Sequence, residues 1–291
     1  MENKYVVLIG DCIRKTVDLF RRIISRIDHF ANPSRLIKKG SDRSLYRTRC
    51  GDLYWLSSKG YVDRCIIDFG IFEPSSTKVV KSLVKEGNIV LDVGANIGYY
   101  SVILSKLVGK QGKVICFEPT DRFGKVLRQN IEANNLQNIE LIKSGLSDKA
   151  QELDIQICED SATLHLSGNN VPESSEKIKL ITLDSFLKDH PLPRIDFIKI
   201  DVDGHEPLFL SGAENTLNKY EPIILLEVSH PHYLSAGYTA WDFYDMLKDK
   251  RYYIYFEDGL VEIKSKEDFL VKCGNFAYSA NVVISRKRLL V

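Results

Sequence analysis

The stretch NIVLDVGANIGYYS, Asn88 to Ser101, limits the folds open to this chain more than any other. Ile89 to Val93 is a short apolar run of the length of one buried parallel strand. The run breaks at Gly94, passes Asn96 and restarts at Gly98. Tyr100, Ile103, Leu104 and Leu107 then recur at helical spacing, and Gly109 stops the helix. The pattern reads strand, glycine turn, helix. Gly94 allows a tight turn and lets a ligand approach without a Cβ in the way, and Gly98 lets the helix start close to the sheet.

The alternation continues along the chain. KVICFE, IELIKSG, RIDFIKID and EPIILLEV read as strands. Phe123, Val126, Leu127 and Ile131 mark one intervening helix, and residues 206 to about 219 another. Thr239 and Asp242 open a further helix as a capping box, and YYIYFE and SANVVISR close the chain as strands. The fold class is α/β, a doubly wound and mostly parallel sheet. Ligands of such sheets bind beyond the carboxyl ends of the strands. This domain is expected over residues 76–291. Ahead of it, residues 41–75 predict a β-hairpin and lead-in, with turns at Gly51-Asp52 and Lys59-Gly60. Residues 1–40 predict a helical extension, with an amphipathic helix over 11–30.

Charge narrows the partners. The 291 residues carry a net charge of +1, which gives no overall grip on nucleic acid, and none is expected as a partner. The first 50 residues hold 12 Lys and Arg against five Asp and Glu. The helix over 11–30 then packs on the domain, pairs with a second copy in a homodimer, or makes peripheral contact with an anionic membrane face. No window of 18 apolar residues and no leader pattern is present, and six cysteines without a C-x-x-C predict reduced thiols. These features predict a cytoplasmic protein, with the inner membrane face as a peripheral alternative.

The turn residues Asp92, Gly94, Asn96 and Gly98 are followed by Glu118, 20 residues beyond Gly98 at the end of the next strand. A carboxylate there accepts the hydroxyls of a ribose. A dinucleotide turn would read G-x-G-x-x-G, whereas this one is G-x-x-x-G behind an acid. Asp92 would repel a phosphate and suits an ammonium. S-adenosylmethionine carries an ammonium and a sulfonium and no phosphate, so it is the expected cofactor. Glu73, just before Pro74, is expected at the cofactor mouth.

The unusual residues follow two strands. Asp201, Asp203, His205 and Glu206 come after one, and Glu227, Ser229, His230 and His232 end or follow the other. Adjacent parallel strands bring those ends to roughly 5 Å. Three roles are open. Asp201 is best placed to bind the cationic end of the cofactor. Asp203, His205, Glu227 or His230 could take the proton of an attacking hydroxyl, a service worth about 10²–10⁴-fold in rate. Asp201, Asp203 and Glu227 could instead hold a divalent cation, Mg²⁺ or Ca²⁺. Lys199, inside a strand, requires an acidic partner. Residues 154–179 are polar and hydroxyl-rich, and predict a loop or hairpin facing the substrate.

Together the pieces FEP, VLDVGANIGYYS, VICFEPT, GLSD, LITLDSF, IDFIKIDVDGHEPLFLSGA and PIILLEV carry a resemblance. From about Ile71 to Ile284 the chain resembles FkbM-type methyltransferases, of the class I S-adenosylmethionine-dependent fold. The resemblance implies O-methylation of a sugar, glycan or related small molecule. It implies a seven-stranded sheet in the order 3-2-1-4-5-7-6, the last-formed strand antiparallel. It also implies that Tyr99 or Tyr100 covers the methionine end and that Leu146, Ser147 and Asp148 flank the adenine. Asp203 stands where the family often has Glu, one methylene longer. An RNA or protein methyltransferase and a non-catalytic cofactor-binding scaffold are the alternatives. The acidic body argues against RNA, and the intact turn with Glu118 argues against a scaffold.

Overall fold

The computed structural model describes residues 33–158, 161–163, 172–274 and 279–289. The helix expected over 11–30 lies outside the described residues. In chain order the first elements are β1 (Arg35–Lys38), β2 (Ser44–Arg47), β3 (Leu53–Leu56), α1 (Tyr61–Phe69) and α2 (Pro74–Leu83). Next come β4 (Ile89–Val93), α3 (Tyr99–Val108), β5 (Lys113–Phe117), α4 (Asp121–Ala133) and β6 (Ile139–Ile142). Four short strands follow: β7 (Gly145–Leu146), β8 (Gln151–Ile157), β9 (Ala162–Thr163) and β10 (Ser174–Ile181). Then come α5 (Leu183–Asp189), β11 (Phe197–Ile200), α6 (Glu206–Gly212), α7 (Glu214–Tyr220) and β12 (Ile223–Val228). The described chain ends with α8 (His230–Ser235), α9 (Ala240–Asp249), β13 (Tyr253–Phe256), β14 (Val261–Ile263), α10 (Lys266–Cys273) and β15 (Ala280–Ser285).

The central sheet runs β14-β13-β15-β12-β11-β4-β5-β6. From β12 across to β6 all pairings are parallel, and β15 is antiparallel to both of its neighbours. Without β14 this is the expected order. The strand count is corrected from seven to eight, because β14 folds back on β13 as an antiparallel edge.

Side chains alternate between two cores because a strand's period is two. Leu91, Val93, Ile115, Ile198, Leu226 and Val282 face one core, against α5 to α10. Val90, Val114, Phe197, Leu225 and Val283 face the other, against α1 to α4. Asp92 and Lys199 fall in this second register and are paired across β4 and β11. Both cores are apolar, so two charges on one of these faces need a local reason.

The amino-terminal segment differs from expectation. β1 begins at Arg35, inside the stretch expected to be a helical extension, and joins β2 and β3 in a three-stranded antiparallel sheet rather than a plain hairpin. Residues 61–69, inside the expected β-hairpin and lead-in, form the helix α1. Val62, Ile66 and Phe69 follow the 3.6-residue repeat, and Gly70 ends the helix at φ 69°. Arg43 pairs with Asp63 at 2.6 Å, and Asp63 also accepts from the Ser57 amide, tying the small sheet to α1. On the other side, β3 offers its edge to α4. Asn130 Oδ1 accepts from Trp55 N at 2.7 Å, and Asn134 accepts from Leu53 N and donates to Leu53 O. Two asparagines four residues apart thus satisfy a strand edge that would otherwise be open.

The polar stretch 154–179 contributes most of an antiparallel hairpin, β8 against β10, with β7 added in parallel to β10. Its inward residues Ile155, Ile157, Ile178 and Leu180 form a small core of their own. The described cysteines are free thiols. Among the described residues, no helix is long and apolar enough to cross a membrane.

Candidate active site

The carboxyl ends of β4, β5, β11 and β12 open onto one cavity of about 390 Å³. Its floor is the β4–α3 turn with Gly94 and Asn96. One wall is Glu118, Pro119 and Leu146, and the opposite wall holds Asp201, Asp203, His205 and Glu227. Phe72 and Glu73 approach from the segment before α2, and Ile155, Ile178 and Leu180 of the hairpin line it from above.

Backbone geometry accounts for the glycine turn. Gly94 has φ +77°, and a Cβ there would lie 1.9 Å from the carbonyl oxygen of Asp201. The turn can therefore press against the β11 end only with glycine at this position. Glu73, Asn96 and Asp203 also adopt positive φ, at 44°, 51° and 49°. Left-handed backbone at non-glycine residues costs energy and gathers where a site needs it, and all three line the cavity.

Glu118 is 5% exposed. Its Oε2 accepts from the Asn96 amide at 2.9 Å, and its Oε1 accepts from both the amide and the hydroxyl of Thr120. Burial raises its pKa, and those hydrogen bonds oppose the rise. Each carboxylate oxygen takes about two donors, so Oε2 retains acceptor capacity toward the cavity.

Beneath the opposite wall lies a buried charge cluster. Lys199 Nζ is 2.7 Å from Asp201 Oδ2 and 4.9 Å from the centre of the Tyr100 ring. The Tyr100 hydroxyl donates to Glu73 Oε2 at 2.7 Å. Burial works against the lysine's charge, but Asp201, Asp92 and Glu73 raise its pKa on balance. The acidic partner that Lys199 required is thus Asp201.

At the β11 and β12 ends acids crowd together. Burial, then Asp201, Asp203 and Glu206, push the Glu227 carboxyl well above its usual range. Its Oε2 is buried and has no hydrogen-bond partner among the described residues. Glu206 is fully buried, and its Oε1 accepts from the Val202 amide at 3.0 Å, fixing the turn that carries Asp203. Burial pushes its carboxyl up to about 8 against the pull of backbone hydrogen bonds, with Asp201 and Asp203 adding to the rise.

Of the residues singled out from sequence, Glu73, Gly94, Asn96, Glu118, Leu146, Asp201, Asp203, His205 and Glu227 line the cavity. The others lie outside its lining. Asp92 is fully buried, accepting from the Ser101 hydroxyl at 2.6 Å. Gly98 heads α3, where a Cβ would meet Leu127 Cδ1 at 2.1 Å, so its glycine serves helix packing. Tyr99 is buried against Tyr54 and Phe72, and its hydroxyl meets Thr77. Tyr100 supports Glu73 from behind. Ser147 and Asp148 sit behind His205, with Ser147 Oγ 2.8 Å from His205 Nε2. His230 is corrected from a proton acceptor to a structural residue. It is 2% exposed, and its Nδ1 accepts from the Ala240 amide at the start of α9. Of the three acids considered for a cation, Asp201 is engaged by Lys199, while potential ligand atoms of Asp203, Glu227 and His232 lie within 4.8 Å of one another.

Sequence reading missed the apolar side of the cavity. Tyr61, Phe72 and Phe123 line it, as do Ile155, Ile178 and Leu180. The alternation of Leu153, Ile155 and Ile157 was the available signal for the hairpin.

A family model described as the methyltransferase FkbM domain matches residues 92–255, which include the turn, Glu118 and both acid-bearing loops. The chain belongs to the FkbM methyltransferase family. This family member is 24% identical over 190 residues to the hexuronic acid methyltransferase AglP of Haloferax volcanii, spanning 64% of this chain and 71% of that protein. It is 27% identical over 171 residues to the 2-O-methyltransferase NoeI of Sinorhizobium fredii, spanning 52% and 69%. Among solved structures, an FkbM methyltransferase from Methylobacillus flagellatus aligns at 15% identity with a TM-score of 0.42, covering 72% of this chain and 50% of that one. An S-adenosylmethionine-dependent methyltransferase from Aquifex aeolicus aligns at 20% identity with a TM-score of 0.45, covering 78% and 95%. The FkbM-family chain is an S-adenosylmethionine-dependent methyltransferase.

Proposed function

We propose that this protein methylates a hydroxyl group of a sugar, glycan or related small molecule. The carrying observation is that one cavity joins a nucleoside-type end, Gly94, Asn96, Glu118 and Leu146, to a proton-accepting end, Asp203, His205 and Glu227. The printed activities of AglP and NoeI, a hexuronic acid methyltransferase and a 2-O-methyltransferase, support the same acceptor class.

The residues fit the cofactor. The Gly94 turn leaves space that a Cβ would fill, Glu118 keeps acceptor capacity for ribose hydroxyls, and Glu73, with the Asp201 oxygen not held by Lys199, offers acceptors to an ammonium. Bound there, S-adenosylmethionine supplies a methyl group activated by its sulfonium. The protein's own share is to position the acceptor oxygen and remove its proton. His205 is suited to that task. Ser147 Oγ donates to Asp148 Oδ1 at 2.9 Å, so the same oxygen accepts from His205 Nε2–H at 2.8 Å. That tautomer places the acceptor lone pair on Nδ1, which is itself buried.

The test is methyl transfer from labelled cofactor to a panel of neutral sugars, uronic acids, RNA and peptides, read by mass spectrometry. Label on a carbohydrate hydroxyl is the expected outcome. Label on RNA or peptide alone would replace the acceptor class, and cofactor binding without transfer to any acceptor would favour the scaffold reading.

A further inference from the structure

We propose that Asp203, Glu227 and His232 form a divalent-cation site on the acceptor side of the cavity. The ligand atoms come from the β11–α6 turn, the end of β12 and the first turn of α8, and all lie within 4.8 Å of one another. Oxygen and nitrogen ligands at about 2.1–2.3 Å from a shared ion are separated by distances of this order. His232 Nδ1 is 3.8 Å from Asp203 Oδ1, long for a hydrogen bond and suited to two ligands around one ion.

A second observation points to a ligand independently. Glu227 lines the cavity, and its Oε2 is buried with no hydrogen-bond partner among the described residues. A buried carboxylate oxygen without a donor is costly, and a cation removes that cost. Of the two other acids of the region, Asp201 pairs with Lys199 and Glu206 Oε1 accepts from the Val202 amide. Asp203 and Glu227 together carry the two charges that a divalent ion neutralises. The backbone is also built for this approach. Gly204, at φ +94°, leaves room for the loop that carries His232, and a Cβ there would stand 2.8 Å from His232 Cβ.

The donor set selects the ion. Two carboxylates and one imidazole suit Mn²⁺ better than Ca²⁺ or Mg²⁺, which prefer oxygen alone. Three protein ligands leave positions open for oxygens of an acceptor. Vicinal sugar hydroxyls or a uronate carboxylate with its neighbouring hydroxyl are acceptors of the right chemistry. The choice of acceptor rests on the carbohydrate reading, while the cation site does not, because cation binding is measured with no acceptor present.

The experiment titrates Mn²⁺ into the metal-stripped full chain, followed by electron paramagnetic resonance, beside calorimetry with S-adenosylmethionine. One Mn²⁺ per chain is expected, with affinity reduced about 10-fold or more in both His232→Gln and Glu227→Gln. Retained binding of S-adenosylmethionine by the variants shows that they are folded. Wild-type protein labelled with ¹⁵N-histidine adds a readout independent of any variant: a manganese-bound nitrogen in the pulsed spectrum. No saturable Mn²⁺ signal, wild-type affinity in both variants, or no bound nitrogen overturns the site. Methyl transfer to carbohydrate in any of those cases leaves the O-methylation reading standing.

Discussion

A Cβ on Gly94 would lie 1.9 Å from the carbonyl oxygen of Asp201. The cofactor turn and the acid-bearing loop therefore hold each other in place through backbone contact. Gly94→Ala must push them apart or strain a left-handed residue, at a cost on the order of 2–5 kcal/mol. The expected result is a lowered melting temperature and no calorimetric binding of S-adenosylmethionine. Wild-type affinity in this variant would contradict the contact.

On the proposed reading Glu118 serves the cofactor and the turn together, since its Oε2 also holds the Asn96 amide. Hydrogen bonds to a charged group contribute about 1.5–3 kcal/mol. Glu118→Ala should weaken binding of S-adenosylmethionine by about 10–100-fold in calorimetry, and Glu118→Gln by less, because an amide oxygen can still accept.

On the proposed reading His205 takes the acceptor's proton, so His205→Gln should lower kcat by about 10²–10⁴-fold and leave the affinity for S-adenosylmethionine near that of wild type. A variant that loses affinity and keeps kcat would assign His205 to the cofactor instead.

The Lys199 ammonium is 4% exposed as a residue and is held by Asp201. Lys199→Met strands the buried Asp92 and leaves the partly exposed Asp201 without its partner, a loss of about 2–4 kcal/mol. Adding Asp201→Asn should restore part of the stability in urea denaturation. Full additivity of the two losses would mean the pair is not coupled.

Glu206 gives stability a pH dependence with a definite sign. Its carboxyl is pushed up to about 8 in the fold, from an ordinary value of 4.5. A raised carboxyl takes up a proton on folding, so its contribution is complete below about pH 4.5 and is lost as pH climbs through about 8. Glu206→Gln mimics the protonated form and keeps an acceptor for the Val202 amide. Its melting temperature should exceed wild type above pH 8, by about 2–4 °C for each kcal/mol gained, and converge with wild type in acid. A constant offset at every pH would contradict this assignment.

The sequence made the central sheet legible because parallel strands are continuous apolar runs and their helices repeat at 3.6 residues. Glu118 and the Gly94 turn were legible for the same reason, each fixed by its place at a strand end. What failed depended on side-chain direction. Asp92 lies in the right segment, but its register carries it under the sheet to Ser101. His230 and His232 are two residues apart on α8, and only the fold separates a histidine that holds the α9 amide from one facing Asp203. The hairpin was read through its hydroxyls, whereas its alternate isoleucines line the cavity. The α1 segment is too short and too mixed in pattern for its period to outweigh the strand-like residues around it.

Asn130 and Asn134 stitch the β3 edge to α4, the helix capped by Thr120, whose hydroxyl also donates to Glu118. A pull on the amino-terminal sheet would therefore pass, through two amide side chains, to the helix behind Glu118. A load on β3 and a ligand held at Glu118 would share that one helix.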